Sequence, residues 1–144
     1  YDVQVNLRPT KSITAWLAYA HQDSEIEKPD PTAPSTRGNE IDHVPHHLYS
    51  GGIDFQATEA LLLSISGRGQ SDYYLERSNS TGKFGGFFAV DLGATYKLAK
   101  NVSLEFQVKN LTDRYYEYVW WDGVQSLHSP ADERSFHAAV SISF

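Results

Sequence analysis

Imidazole is the first chemistry this sequence offers. Of six histidines, His43, His46 and His47 fall together in DHVPHHLYS. A metal ion needs ligands that converge from one side, and successive residues of a strand point to opposite faces. His46 and His47 therefore do not readily share an ion, although His43 and His47 could face the same way. Polar residues at a strand end are the better reading, and no metal ligand is assigned. Acid–base pairs fare no better. Asp91 and Glu105 alternate with apolar residues, as do Asp54, Arg68, Lys97 and Lys109, so they read as one charged strand face. No nucleophile motif or phosphate-binding loop accompanies them. Asn101-Val-Ser and Asn110-Leu-Thr fit a glycosylation pattern but lie in strands. No catalytic residue and no cofactor is expected.

A different chemistry collects where strands give way to loops. SDYYLERS and TDRYYEYVWWDG bring Tyr73, Tyr74, Arg77, Arg114, Tyr115, Tyr118, Trp120 and Trp121 to loop ends, and Arg134 precedes the last strand. Aromatic rings supply large contact areas at low entropic cost, and arginine grips anionic groups through a rigid fork. Together they suit an anionic ligand.

The elements that must carry these residues are strands. The chain has 144 residues, a net charge of −6, no cysteine and 13% aromatic residues. The charge argues against nucleic-acid binding. The missing cysteines exclude disulfides and thiolate metal sites. No apolar run approaches the roughly 18 residues of a membrane helix. Seven stretches alternate with period two: YDVQVNL, SITAWLAYAHQDSEIE, HHLYSGGIDFQ, LLLSISGRGQSDYYLE, FFAVDLGATYKL, VSLEFQVKNLTDRYYEYVWW and the closing SFHAAVSISF. Trp16 breaks the alternation and predicts a wide lumen or an interior contact. Connections alternate between short turns (RPTK, ATEA, AKN) and long polar loops near 26–42, 77–86 and 121–133. Prolines and small polar residues in the 26–42 loop suit mobility.

Alternation fits both a soluble sandwich and a membrane barrel. The asymmetry of the connections favours the barrel, whose short turns lie at one end and long loops at the other. Strands longer than the usual globular five or six residues and aromatics near their ends point the same way. A barrel must also pair its last strand throughout, since no backbone group goes unsatisfied in a bilayer. ERSFHAAVSISF, with Phe136, Ala138, Val140, Ile142 and Phe144 on one face, suits that demand.

The last third resembles the C-terminal end of TonB-dependent outer-membrane receptors. Val108, Asn110, Leu111, Asp113, Tyr116 and Glu117, then Pro130, Arg134, Phe136 and Phe144, match the family's pattern. Glu133 stands where the family usually has glycine, and Val44, Pro45 and His47 resemble its P-x-H strand opening. The resemblance implies an all-β, antiparallel transmembrane β-barrel segment of about seven strands, the last third of a 22-stranded barrel. Residues 1–144 would be its C-terminal portion, with the plug domain and earlier strands outside this chain. It implies active import across the Gram-negative outer membrane of a scarce nutrient, a ferric siderophore or similar metal chelate or cofactor, and no enzyme activity. Implied partners are the remainder of the receptor, TonB of the TonB-ExbB-ExbD complex acting through the plug, outer-membrane lipid and lipopolysaccharide, and the barrel-assembly machinery. Phe136, Val140, Ile142 and Phe144 would form the assembly signal. The short turns would be periplasmic and the long loops extracellular, placing Tyr73, Tyr74, Arg77, Arg114, Tyr118, Trp120, Trp121 and Arg134 at the outer mouth. Individual rings there equally suit a lipid-facing girdle, and the arginines equally suit lipopolysaccharide phosphates.

Two alternatives stand beside this reading. A passive porin-like barrel would lack a plug. A soluble β-sandwich or lipocalin-like binding module would bury Val90, Leu92, Leu104 and Phe106 in protein.

Overall fold

In the computed structural model, which describes residues 1–143, period-two alternation becomes one antiparallel sheet. Its strands are β1 (Asp2–Thr10), β2 (Ile13–His21), β3 (His47–Gln56), β4 (Leu61–Gln70), β7 (Phe87–Ala99), β8 (Val102–Lys109) and β11 (Ser135–Ile142), each hydrogen-bonded to the next in that order. The intervening loops carry two small hairpins, β5 (Tyr73–Tyr74) with β6 (Lys83–Phe84), and β9 (Glu117–Trp121) with β10 (Ser126–Pro130). Phe144, the last residue of the expected assembly signal, lies outside the described residues.

Register locks the two faces apart. One row runs Val5, Leu17, Gly51, Gly67 and Val90, and another runs Ile53, Ile65, Leu92, Val108 and Phe136. Side chains directly opposite across a ladder share a face, so the apolar face continues across the whole sheet. Nothing packs beneath it: Leu104 is 40% and Phe106 49% exposed. A sandwich core is therefore absent among the described residues, and the soluble binding module fails its own test. The opposite face carries Asn6, Thr14, Asp54, Ser66, Asp91, Gln107 and Ser135.

Glycines make room for rings on both faces. Trp16 sits on the polar face and lies over Gly52, where an added Cβ would stand 2.6 Å from its Nε1. The break in alternation is thus an interior contact. On the apolar face Phe88 covers Gly67, 2.7 Å from where a Cβ would be, and Tyr49 covers Gly69.

Three strands end sooner than their alternation suggests. β2 stops at His21 rather than Glu27, β4 at Gln70 rather than Glu76, and β8 at Lys109 rather than Trp121. At the opposite end the RPTK turn is tighter than its sequence suggests. β1 continues through Pro9 to Thr10, which pairs with Ile13, and the register shifts between Leu7 and Thr10. A proline lacks a ladder donor and is accommodated at such an irregularity.

Candidate ligand-binding site

The only buried apolar cluster among the described residues is at the loop end. Tyr73, Leu75 and Val119 form it, with Phe84 and Trp121 packed against it. Leu75 is 1% exposed, and the Tyr73 hydroxyl donates to the Val119 carbonyl at 3.1 Å. Burial pushes the Tyr73 phenol pKa up. The two small hairpins therefore share one core. The 22–46 loop is stitched to the β5–β6 hairpin: Asn39 Nδ2 donates to the Arg77 carbonyl at 2.9 Å, and Glu40 and Asn79 exchange bonds of 2.7 and 3.1 Å. Lys83 joins Glu40 at 2.9 Å, and that carboxylate holds the Lys83 pKa above its ordinary value.

Glu76 organises the bend between β5 and β6. Its carboxylate accepts from the N–H groups of Ser78, Ser80 and Thr81 at 2.9, 2.7 and 2.9 Å and from both serine hydroxyls. Burial works to raise its pKa, and these donors together hold it below the usual range.

The motif that carried the family resemblance is a clasp at the top of β8. Asn110 is buried with φ of 49°, a left-handed conformation that asparagine tolerates better than most residues. Its N–H donates to Asp91 at 2.8 Å, its Nδ2 to the carbonyls of Arg114 and Asp132 at 3.0 and 3.3 Å, and its Oδ1 accepts from the Arg114 N–H at 3.1 Å. Asp113 accepts from the Arg134 backbone at 3.0 Å and its guanidinium at 2.9 Å. Those bonds hold its pKa below the carboxylate norm.

Beneath this clasp lies a cleft of about 210 Å³ lined by Arg68, Lys109, Tyr116, Tyr118 and residues 129–133. Arg68 and Lys109 belong to the polar face. Arg68 bonds Asp91 at 2.7 Å and reaches the Tyr116 hydroxyl at 3.4 Å. Lys109 is exposed and has no ion pair among the described residues. Tyr116 stacks on Phe87 at 4.5 Å and meets Tyr118 edge-on at 6.2 Å. One uncommitted cation beside an accessible ring, backed by a second cation held by a carboxylate, suits an anionic aromatic or chelated ligand.

The expected mouth residues divide among these structures. Tyr118, 53% exposed, lines the cleft, and Trp120 is exposed on the hairpin beside it. Tyr73 and Trp121 belong to the loop core. Tyr74 lies beneath Lys83, 4.7 Å from the ring centroid, and Arg77 pairs with Asp42 at 3.2 Å. Arg114 is exposed and borders a neighbouring cleft with Asp72, Lys83 and Phe87. Arg134 is committed to Asp113. Within the assembly stretch, Phe136, Val140 and Ile142 are exposed on the apolar face. Sequence reasoning placed Arg68 and Lys109 on a charged strand face but left them out of the site. Their nearness to Tyr118 depends on how the chain folds back after Asn110, which alternation does not encode. Of the histidines first considered, His43 leans on the Tyr73 ring at 5.7 Å, and His46 reaches Glu40 at 3.0 Å.

An antiparallel sheet with a bare apolar face, a charged opposite face, short turns at one end and long loops at the other defines a segment of a membrane β-barrel. A family model described as TonB dependent receptor-like, beta-barrel matches residues 1–111. The chain belongs to the TonB-dependent receptor family, whose members are outer-membrane β-barrels. It is 32% identical over 122 residues to the metal-pseudopaline receptor CntO of Pseudomonas aeruginosa, a match covering 81% of this chain and 17% of that protein. Among solved structures it resembles the siderophore receptor PiuA of Acinetobacter baumannii (TM-score 0.83, 20% identity, 98% of this chain, 21% of that one). It also resembles the ferric yersiniabactin uptake receptor FyuA of Yersinia pestis (TM-score 0.83, 15% identity, 99% of this chain, 23% of that one). The chain thus spans about a fifth of the length of these relatives.

Proposed function

We propose that this chain is the C-terminal part of the barrel of a TonB-dependent receptor that imports an anionic metal chelate, such as a ferric siderophore, across the Gram-negative outer membrane. The cleft of Arg68, Lys109, Tyr116 and Tyr118 carries this reading, because it joins cationic and aromatic groups on the face that a barrel turns to its lumen. The relation to a metal-pseudopaline receptor supports the chelate class. In this reading the loop end is extracellular. The plug and the other barrel strands complete the receptor, and TonB of the TonB-ExbB-ExbD complex acts through the plug. Lipid and lipopolysaccharide surround the barrel, and the assembly machinery reads its closing strand. The relatives are receptors, and import of this kind breaks no bond in the substrate.

Uptake of radioactive iron chelates by iron-starved cells that express the whole receptor tests the proposal. Uptake should require TonB and fall several-fold in a folded R68A/K109A receptor. Entry that persists without TonB would replace this reading with the passive porin.

A further inference from the structure

His21 and His47 stand directly opposite each other in the β2–β3 register, where the two strands open into the 22–46 loop. Their Nδ1 atoms are 3.4 Å apart. Each ring has a different polar neighbour. Asp23 Oδ2 lies 3.2 Å from Nε2 of His21, and in the tautomer that donates to it Nδ1 carries the lone pair. The Tyr19 hydroxyl lies 2.8 Å from Nδ1 of His47, and in the tautomer that accepts from it Nδ1 carries the lone pair there. That single lone pair serves either the Tyr19 hydroxyl or a cation placed between the two rings, so a bound cation would take the place of the Tyr19 hydrogen bond.

The spacing fits such a cation. With metal–nitrogen bonds of about 2.0–2.1 Å, two nitrogens on a tetrahedral ion stand about 3.4 Å apart. Asp23 behind His21 reproduces the carboxylate–histidine–metal arrangement that orients a ligating ring. The Tyr19 oxygen is a third donor within reach. We propose that His21 and His47 form a cross-strand, two-nitrogen chelate for a divalent zinc, copper or nickel ion, the metals that imidazole suits. The ion would clip together the base of the 22–46 loop. Among the described residues no group of three or more histidine, aspartate and glutamate side chains is placed to hold a metal ion. The remaining positions are therefore left to Tyr19, water or an incoming ligand. This departs from the sequence reading, which considered His43, His46 and His47 and assigned no metal ligands. It rests on the strand register and on the distance between the two rings, and does not depend on the substrate proposed above.

The test uses the whole receptor without an affinity tag, purified in detergent and stripped with a chelator, titrated with copper(II) alone and followed by electron paramagnetic resonance. Wild type and H43A should take up one copper with a two-nitrogen imidazole signature. H21A and H47A, shown to be folded by heat-modifiable gel mobility, should lose it. An identical spectrum in folded H21A and H47A would overturn the proposal. So would a wild-type spectrum without a two-nitrogen species, which decides the matter even if a variant fails to fold.

Discussion

Asp113 and Arg134 are joined twice across 21 residues of sequence, backbone N–H to Oδ1 at 3.0 Å and guanidinium to Oδ2 at 2.9 Å. The first residue follows β8 and the second precedes β11, so the pair fastens both ends of the last long loop to the rim of the sheet. The aspartate lies in the loop, and the bonds from Arg134 hold its pKa below the ordinary carboxylate value.

A carboxylate with a depressed folded-state pKa stabilises in full above its unfolded value and loses that contribution as pH falls through the folded one. Protection of the amides in residues 111–134, taken as exchange relative to the intrinsic rate at each pH, should therefore stay constant from neutral pH to about pH 4, near the unfolded aspartate value, and weaken at lower pH. D113N should weaken protection of this loop at neutral pH and flatten the acid response. An unchanged acid response in D113N would refute the assignment.

Asn110 combines a left-handed backbone with side-chain bonds to Arg114 and Asp132. N110A loses the bonds and also strains the backbone, and should cost about 2–4 kcal/mol. N110G keeps the conformation and loses only the bonds, so its loss should be smaller. The order wild type, N110G, N110A in heat-modifiable gel midpoints checks this. Equal midpoints for the two variants would show that the backbone conformation is not constrained.

Gly69 and Gly52 differ in what a methyl group would strike. At Gly69 it meets the Phe87 backbone carbonyl, which cannot move without breaking the ladder, whereas at Gly52 its nearest neighbour is the Trp16 ring. G69A should therefore reduce the yield of folded receptor in membranes more than G52A does. W16A should restore G52A and leave G69A unrescued, as quantified by heat-modifiable mobility.

Leu75 fills the centre of the cluster shared by the two small hairpins. L75A should destabilise that cluster by about 2–5 kcal/mol, and Y73F should cost about 1 kcal/mol through the lost bond to Val119. Limited proteolysis should cut residues 71–86 and 117–130 faster in both variants while the seven-stranded sheet stays intact. Cleavage confined to one hairpin would show that they are not energetically joined.

The strands were legible because a sheet with two unlike faces writes period two into its sequence. Val102 to Lys109 and Phe136 to Ile142 could hardly be anything else. Their upper limits were not, because Tyr73, Tyr74 and the 117–121 stretch favour extended backbone equally in a wall or in a separate hairpin. The clasp was visible as a motif in Asn110 and Asp113, yet its physics lies in a positive φ and in partners up to 22 residues away. Arg134 looked like a free ligand-binding cation until its partner was seen. Arg68 and Lys109 looked like ordinary lumen charges until the chain after Asn110 folded Tyr116 and Tyr118 over them. Pairwise chemistry between these distant residues is set by how the loops fold back on the sheet, which period-two alternation does not encode.

The rings of Phe88 and Tyr49 lying in the depressions left by Gly67 and Gly69 have a consequence for whatever surrounds the sheet. An unfilled depression on an apolar wall is a slot into which a hydrocarbon tail can settle and stay. Filled by the wall's own side chains, it offers no resting place. In the proposed barrel, acyl chains along β3, β4 and β7 would meet an even surface, and the annulus there should exchange freely with the rest of the bilayer.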